Sequence, residues 1–124
     1  MITSVGAVLL ISQNPEALKN FYVKALGLPF EEEIHDDTPL HYGCEIGSVH
    51  FAIHPAEGWP GTATQDSQSP VIALMTDNMN DIVNNLASFD INVSPVDHGF
   101  ADVIAFRDPD GNHLEVLQQK CTDP

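Results

Sequence analysis

Residues 106–118, "FRDPDGNHLEVLQ", decide how this chain folds. Asp108, Pro109, Asp110, Gly111 and Asn112 are turn formers, because they supply side-chain acceptors, a fixed φ and a residue free to take positive φ. The run that follows alternates. Leu114 and Val116 point one way, and Glu115 and Leu117 the other, which is the period of a strand. A carboxylate inside an apolar strand costs free energy unless it is paired or used. Glu115 is therefore the first candidate functional residue.

Working outward, the order of elements repeats. Val5–Ile11 is a short apolar run suited to a buried strand. In "SQNPEALKNFYVKALGLP", Asn14 is the predicted cap, Pro15 fits the first turn and Glu16 complements the helix dipole. Leu18, Phe21, Tyr22, Ala25 and Leu26 line one side, Gly27 ends the helix and Pro29 blocks its continuation. Phe30–Ile34 reads as an exposed strand. Leu40–Ile46 and Val49–His54 read as a hairpin turning at Gly47. Residues 55–70 are rich in Pro, Gly, Ser and Thr without periodicity, as in a connector. The order then returns. Val71–Met75 is a strand, and a helix follows, capped by Asp77 or Asn78, with Met79, Ile82, Val83, Leu86 and Phe89 as its buried stripe. Three strands close the half: "INVSPV" (91–96), Asp102–Phe106 and Leu114–Gln118. Ile72 lies 64 residues after Val8, and Ile82 lies 64 after Leu18. The chain is β-α-β-β-β twice: module one 1–54, connector 55–70 and module two 71–124. Identity between the halves is low, so the repeat is one of pattern.

The bulk numbers narrow the partners. The 124 residues suit a single compact domain. Four Lys and Arg against 18 Asp and Glu give a net charge of −14. Such a chain cannot build the basic surface that nucleic acid requires, and an anionic membrane surface repels it. Phosphate-rich ligands need several Arg or Lys, so a neutral or cationic ligand is favoured. No apolar run is long enough to span a bilayer. Cys44 and Cys121 fit no zinc or disulfide pattern, so a reducing cytoplasm is the expected location.

Three stretches, "NPEALKNFYVKALGLPFEEE", "VIALMTDNMNDIVNNLASFDINV" and "FRDPDGNHLEVLQ", resemble the vicinal oxygen chelate superfamily, which holds glyoxalase I, bleomycin-resistance proteins and extradiol dioxygenases. The last stretch is the most specific, and the two halves together cover nearly the whole chain. The resemblance implies an α+β fold in which two βαβββ modules form a curled mixed sheet, or cup. It also implies a homodimer, and in metal-dependent members a divalent ion held by the first and last strands of each module.

Glu115 matches the family's terminal carboxylate. Counting back seven residues from Gln13 and Asp77 places Gly6 and Pro70 where the first-strand ligands belong, and neither has a ligating side chain. In "VHFAIH", Val49, Phe51 and Ile53 form the apolar face, and His50, Ala52 and His54 the other. His50 and His54 are about 13 Å apart at roughly 3.3 Å per residue, too far to share one ion. His50 with Glu115 gives at most a two-ligand metal site. Phe51, Trp59 and Phe100 are aromatics available to stack on a ligand.

The sequence therefore points to a ligand-binding protein with an incomplete metal site, taking a small organic molecule through His50, His54, Glu115, Phe51, Trp59 and Phe100. The cofactor is either none or a divalent metal. The competing reading is a metal-dependent lyase, isomerase or dioxygenase using Glu115 and His50. A third is an interaction domain whose cup is filled by side chains.

Overall fold

The computed structural model describes residues 1, 3, 5–34, 39–57 and 71–120. Trp59 and Pro70 lie outside the described residues, as do Ser69, Cys121 and the segment 35–38 that contains His35, Asp36 and Asp37. The chain forms two compact units, Met1–Thr64 and Gln65–Pro124. The first holds β1 (Ala7–Ser12), α1 (Pro15–Leu26), β2 (Glu31–Glu33), β3 (His41–Ile46) and β4 (Val49–Pro55). The second holds β5 (Ile72–Met75), α2 (Met79–Ala87), β6 (Val96–Asp97), β7 (Ala101–Arg107) and β8 (His113–Gln119). Each is a βαβββ module built on a mixed four-stranded sheet, ordered β1-β4-β3-β2 and β5-β8-β7-β6. In both, the first strand runs parallel to the last, and the other pairs are antiparallel.

Helix α1 forms where the sequence predicts. The Ala17 N–H donates to Asn14 Oδ1 (3.4 Å), Pro15 occupies the first turn, and Gly27 takes the left-handed conformation (φ 71°) that lets the last turn close on the Tyr22 and Val23 carbonyls. Its buried stripe is Leu18, Phe21, Tyr22 and Ala25. Tyr22 meets Phe30 and Phe51 with ring centroids 5.9 and 5.6 Å away, and Phe30 meets Phe51 at 5.5 Å. Such tilted and edge-on pairs each add about 0.5–1.5 kcal/mol beyond burial, and they fix which face of the first sheet the helix covers. Helix α2 repeats the device. Asn78, rather than Asp77, is the cap, and its Oδ1 accepts from the Asp81 N–H at 3.1 Å. The repeat extends outside the helices. The Asn14 N–H donates to Ser12 Oγ at 3.0 Å, and the Asn78 N–H to Thr76 Oγ1 at 3.1 Å, the same 64-residue step.

Two expectations are corrected. The strand expected over "INVSPV" is only Val96–Asp97, pairing with Val103 and Asp102. Pro95 has no N–H for a ladder, so pairing begins after it. Phe89 leaves the buried stripe and is 37% exposed, whereas Met79 and Leu86 are buried. Helix α2 ends at Ala87, and the next turn folds back as Phe89 and Ile91 N–H groups donate to the Leu86 carbonyl (2.9 and 3.0 Å), which rotates Phe89 outward.

The turn that decides the fold is organised by Asp108, 5% exposed. Its Oδ1 accepts from the Asp110 and Asn112 N–H groups (3.0 and 2.9 Å), and its Oδ2 from Asn112 Nδ2 (2.8 Å). Gly111 sits at φ 88°, where a side chain is strained. This turn sets the register in which Ala105 faces Glu115 and Phe106 faces Leu114. No helix among the described residues is long and apolar enough to cross a membrane.

Candidate functional site

Each sheet has one face covered by its helix and one that is not. On β8, Leu114 and Val116 are buried on the helix side, which leaves His113, Glu115 and Leu117 on the open side. The register adds Ala73 and Met75 from β5, Val103 and Ala105 from β7, and Val96 from β6 to that side. Met75 and Val96 are 61% and 58% exposed. Glu115 is thus a half-buried acid on an otherwise largely apolar face, with Ala73 on one flank and Ala105 on the other. Among the described residues no hydrogen bond or ion pair engages Glu115. His113 is the first residue of β8, and its Nε2 is buried without a hydrogen-bond partner among the described residues.

The first unit's open face is apolar on β1, with Ala7, Leu9 and Ile11, and polar on β2, β3 and β4. On β4, Phe51 and Ile53 pack on the helix side, which leaves His50, Ala52 and His54 on the other. Phe51 is 3% exposed, with its ring against Tyr22 and Phe30, so its surface belongs to the core. His50 faces Glu45 across the hairpin, and its Nδ1 lies 2.6 Å from Glu45 Oε1. From the edge strand β2, Glu33 reaches across β3. Its Oε1 lies 3.7 Å from His50 Nε2, and its Oε2 lies 3.5 Å from His41 Nε2. The buried His41 ring stacks on His54, with centroids 4.2 Å apart and planes 10° from parallel. Gly43 makes this possible. A Cβ there would stand 1.8 Å from Glu33 Oε1 and 3.0 Å from His50 Cε1.

The sequence singled out His50 and His54 but not Glu33, His41 or Glu45. The hairpin contained the missing signal. Once it turns at Gly47, cross-strand pairing puts Glu45 opposite His50 and Gly43 opposite Ala52. Glu33 was not legible in that way, because its reach depends on where β2 pairs. Phe100 is 66% exposed in the loop before β7.

A metal at Glu115 can be tested on the donor set. Ala73 pairs with Glu115, and Leu9, one 64-residue step earlier, pairs with Ala52. The position equivalent to Glu115 is therefore Ala52. The open sides of the first strands carry Ala7, Leu9 and Ile11 on β1, and Ala73 and Met75 on β5. None is a usual ligand for a hard or borderline divalent ion. His50 belongs to the first unit and Glu115 to the second. No group of three or more His, Cys, Asp or Glu side chains among the described residues could hold a metal ion. The described residues around Glu115 do not fit the metal centre that the resemblance implies.

Two βαβββ modules with this register lead to a family. Residues 4–116 match the model of the Glyoxalase/Bleomycin resistance protein/Dioxygenase superfamily. The chain belongs to that superfamily. Solved members of the fold are similar along almost the whole chain. TnmS3, an antibiotic binding protein from Streptomyces sp. CB03234, is 19% identical with a TM-score of 0.74, over 96% of this chain and 98% of that one. A glyoxylase/bleomycin resistance protein/dioxygenase domain from Frankia sp. EAN1pec is 20% identical with a TM-score of 0.73, over 99% and 96%. A virulence protein from Salmonella typhimurium is 22% identical with a TM-score of 0.70, over 97% and 99%. At these identities the similarity establishes the fold, and no curated protein matches. This superfamily member thus has the family's scaffold, and it carries Glu115 between Ala73 and Ala105 on the open side of β8.

Proposed function

We propose that this superfamily member binds a small neutral or cationic organic molecule on an open sheet face, with Glu115 on the second unit's face and His50 on the first unit's, and without a metal at Glu115. The observation that carries this reading is the set of side chains around Glu115. Ala73, Ala105, Val103, Met75 and Leu117 offer an apolar surface with a single acid. Such a surface suits an organic body with one donor or positive group, since few polar groups on an apolar lining fix orientation. The net charge of −14 favours the same ligand class. TnmS3 is described as binding an antibiotic, so binding without conversion is compatible with the scaffold. His54 and Phe100 add to the proposed ligand-facing set, whereas Phe51 is committed to the core. We also propose a homodimer in the cytoplasm. Met75, Val96 and Phe100 are large apolar side chains left exposed on one chain, and the buried Cys44 is a free thiol.

The test combines elemental analysis of the purified protein with a thermal-shift screen of neutral and cationic aromatic compounds. Metal below about one-tenth equivalent, and melting-point increases that Glu115→Gln diminishes, are the expected results. Stoichiometric metal that is lost in Glu115→Ala would replace this reading with the metal-dependent lyase, isomerase or dioxygenase. Light scattering at a monomer mass would remove the dimer.

A further inference from the structure

The open face of the second unit goes further, and the inference rests on the ligand-binding reading above. On the first unit's face the imidazoles are engaged, His50 with Glu45 and Glu33, and His41 with Glu33 and the Pro39 carbonyl. Glu115 and His113 are not. Glu115 meets no donor among the described residues, and His113 Nε2 is buried without a partner. Native structures rarely leave a buried nitrogen so, because the missing bond costs free energy. Both side chains stand on the same side of β8, two residues and about 7 Å apart along the strand. Ala73 and Ala105 flank Glu115, and Arg107 lies opposite His113. The face is therefore polarised along β8, with a cation at the His113 end and an acid at the other.

We propose that His113 is a second polar anchor of the ligand site, taking a hydroxyl group of a ligand whose ammonium or other donor group is held by Glu115 at the far end of an apolar ring. A hydroxyl both donates and accepts, so it suits Nε2 whether or not that nitrogen carries the hydrogen. Neither anchor gives up a protein partner, so each bond to the ligand forms at the expense of none within the chain. His113 keeps part of its surface open. The torsion that turns a histidine ring is broad and roughly two-fold, so Nε2 can be brought to the open side without strain. Arg107 sets the direction of binding, because its charge repels a cation from the His113 end and leaves Glu115 as the place for it. With only methyl groups at Ala73 and Ala105, a flat ring can lie against the sheet beside the acid. The ligand class is thus an amino alcohol or diol with its two polar groups at opposite ends of the ring.

The probes are benzylammonium and the para and ortho isomers of (hydroxymethyl)benzylammonium, which share one ring and one charge and differ in whether and where a hydroxyl stands. Each is titrated at pH 7.5 into 15N-labelled protein, reading the imidazole nitrogens of His113. The para isomer is expected to bind at least about fivefold more tightly than the other two, as one added hydrogen bond warrants. It alone should move the His113 Nε2 resonance. His113→Phe keeps a ring and removes both nitrogens, so it should bring the preference below about twofold, whereas His113→Gln keeps a donor and an acceptor and should retain part of it. Equal affinity of the three probes for the unaltered protein overturns the anchor while sparing the ligand-binding reading. A para preference that survives His113→Phe also overturns it, and a lowered melting point in that variant would then assign the imidazole to the fold. Binding of none of the probes sinks both.

Discussion

The carboxylate of Glu33 lies in the space that a side chain on Gly43 would fill. A methyl group there would sit 1.8 Å from Glu33 Oε1. The absence of a side chain on β3 is therefore what allows an edge-strand acid to meet two histidines on neighbouring strands. The displaced group would be the far end of a flexible side chain, so Gly43→Ala is expected to cost less than about 1 kcal/mol in urea unfolding while breaking the Glu33–His50 approach. In a double-mutant cycle with Glu33→Ala, the coupling should be at least about 0.5 kcal/mol. Strict additivity would show that the two do not compete for this space.

Asp108 is the pivot of the turn before β8. Asp108→Ala removes an acceptor for two backbone N–H groups and one amide, and should cost about 2–4 kcal/mol. Asp108→Asn should cost roughly half as much, because Oδ1 can still accept from the backbone while the new amide faces that of Asn112. Denaturant midpoints of the two variants decide the matter, and equal losses would contradict the assigned roles of the two oxygens.

Gln118 caps a helix from a strand. Its Oε1 accepts from the Met79 N–H (2.7 Å), and its Nε2 donates to the Asp77 carbonyl (3.1 Å). Gln118→Ala should cost about 1–2 kcal/mol. Gln118→Glu keeps the acceptor and adds negative charge at the helix N-terminus, so its loss should be below about 1 kcal/mol. Hydrogen exchange at Met79 should quicken in the first variant and not in the second.

Burial pushes the Cys44 thiol above its ordinary 9.0, and the charges of Glu45 and Glu33 push it the same way. A raised value in the folded state means that the fold favours the protonated thiol. The associated stability is complete below pH 9 and is lost as pH rises through the raised value. Cys44→Ala should therefore flatten the fall in stability above pH 9. In a Cys121→Ser background, modification of Cys44 by a disulfide reagent at pH 7.5 should run at least about tenfold slower than that of a free peptide thiol. A rate matching the peptide would show that the thiol is accessible.

The scaffold was readable because it depends on local chemistry. Asn14, Pro15 and Gly27 act through their own backbone, and Asp108 to Asn112 act within one turn. Alternation in "HLEVLQ" and "VHFAIH" was enough to assign faces, including the open sides of Glu115 and His50. Phe89 and "INVSPV" failed for a related reason, since the apolar period continued in the sequence after the helix had ended and after Pro95 had removed a donor. Glu45 follows from the hairpin turning at Gly47. The approach of Glu33 to His41 and His50 needs the register of β2 on β3 and the missing side chain of Gly43, neither of which a period can encode.

Ser12 with Asn14, and Thr76 with Asn78, make the same short hydrogen-bonded clasp at the entrance to each helix. The open sheet faces beside these clasps differ, the first gathering imidazoles and acids on β2, β3 and β4, the second setting one carboxylate, Glu115, between two alanines. The instructions for folding and the instructions for recognition are therefore written on separate side chains. A redesign that rewrites one face, for example by exchanging Ala52 or Ala73 for a ligating residue, can leave the clasps, caps and helix-side packing as they are. The other half of the same molecule then serves as its unaltered internal standard.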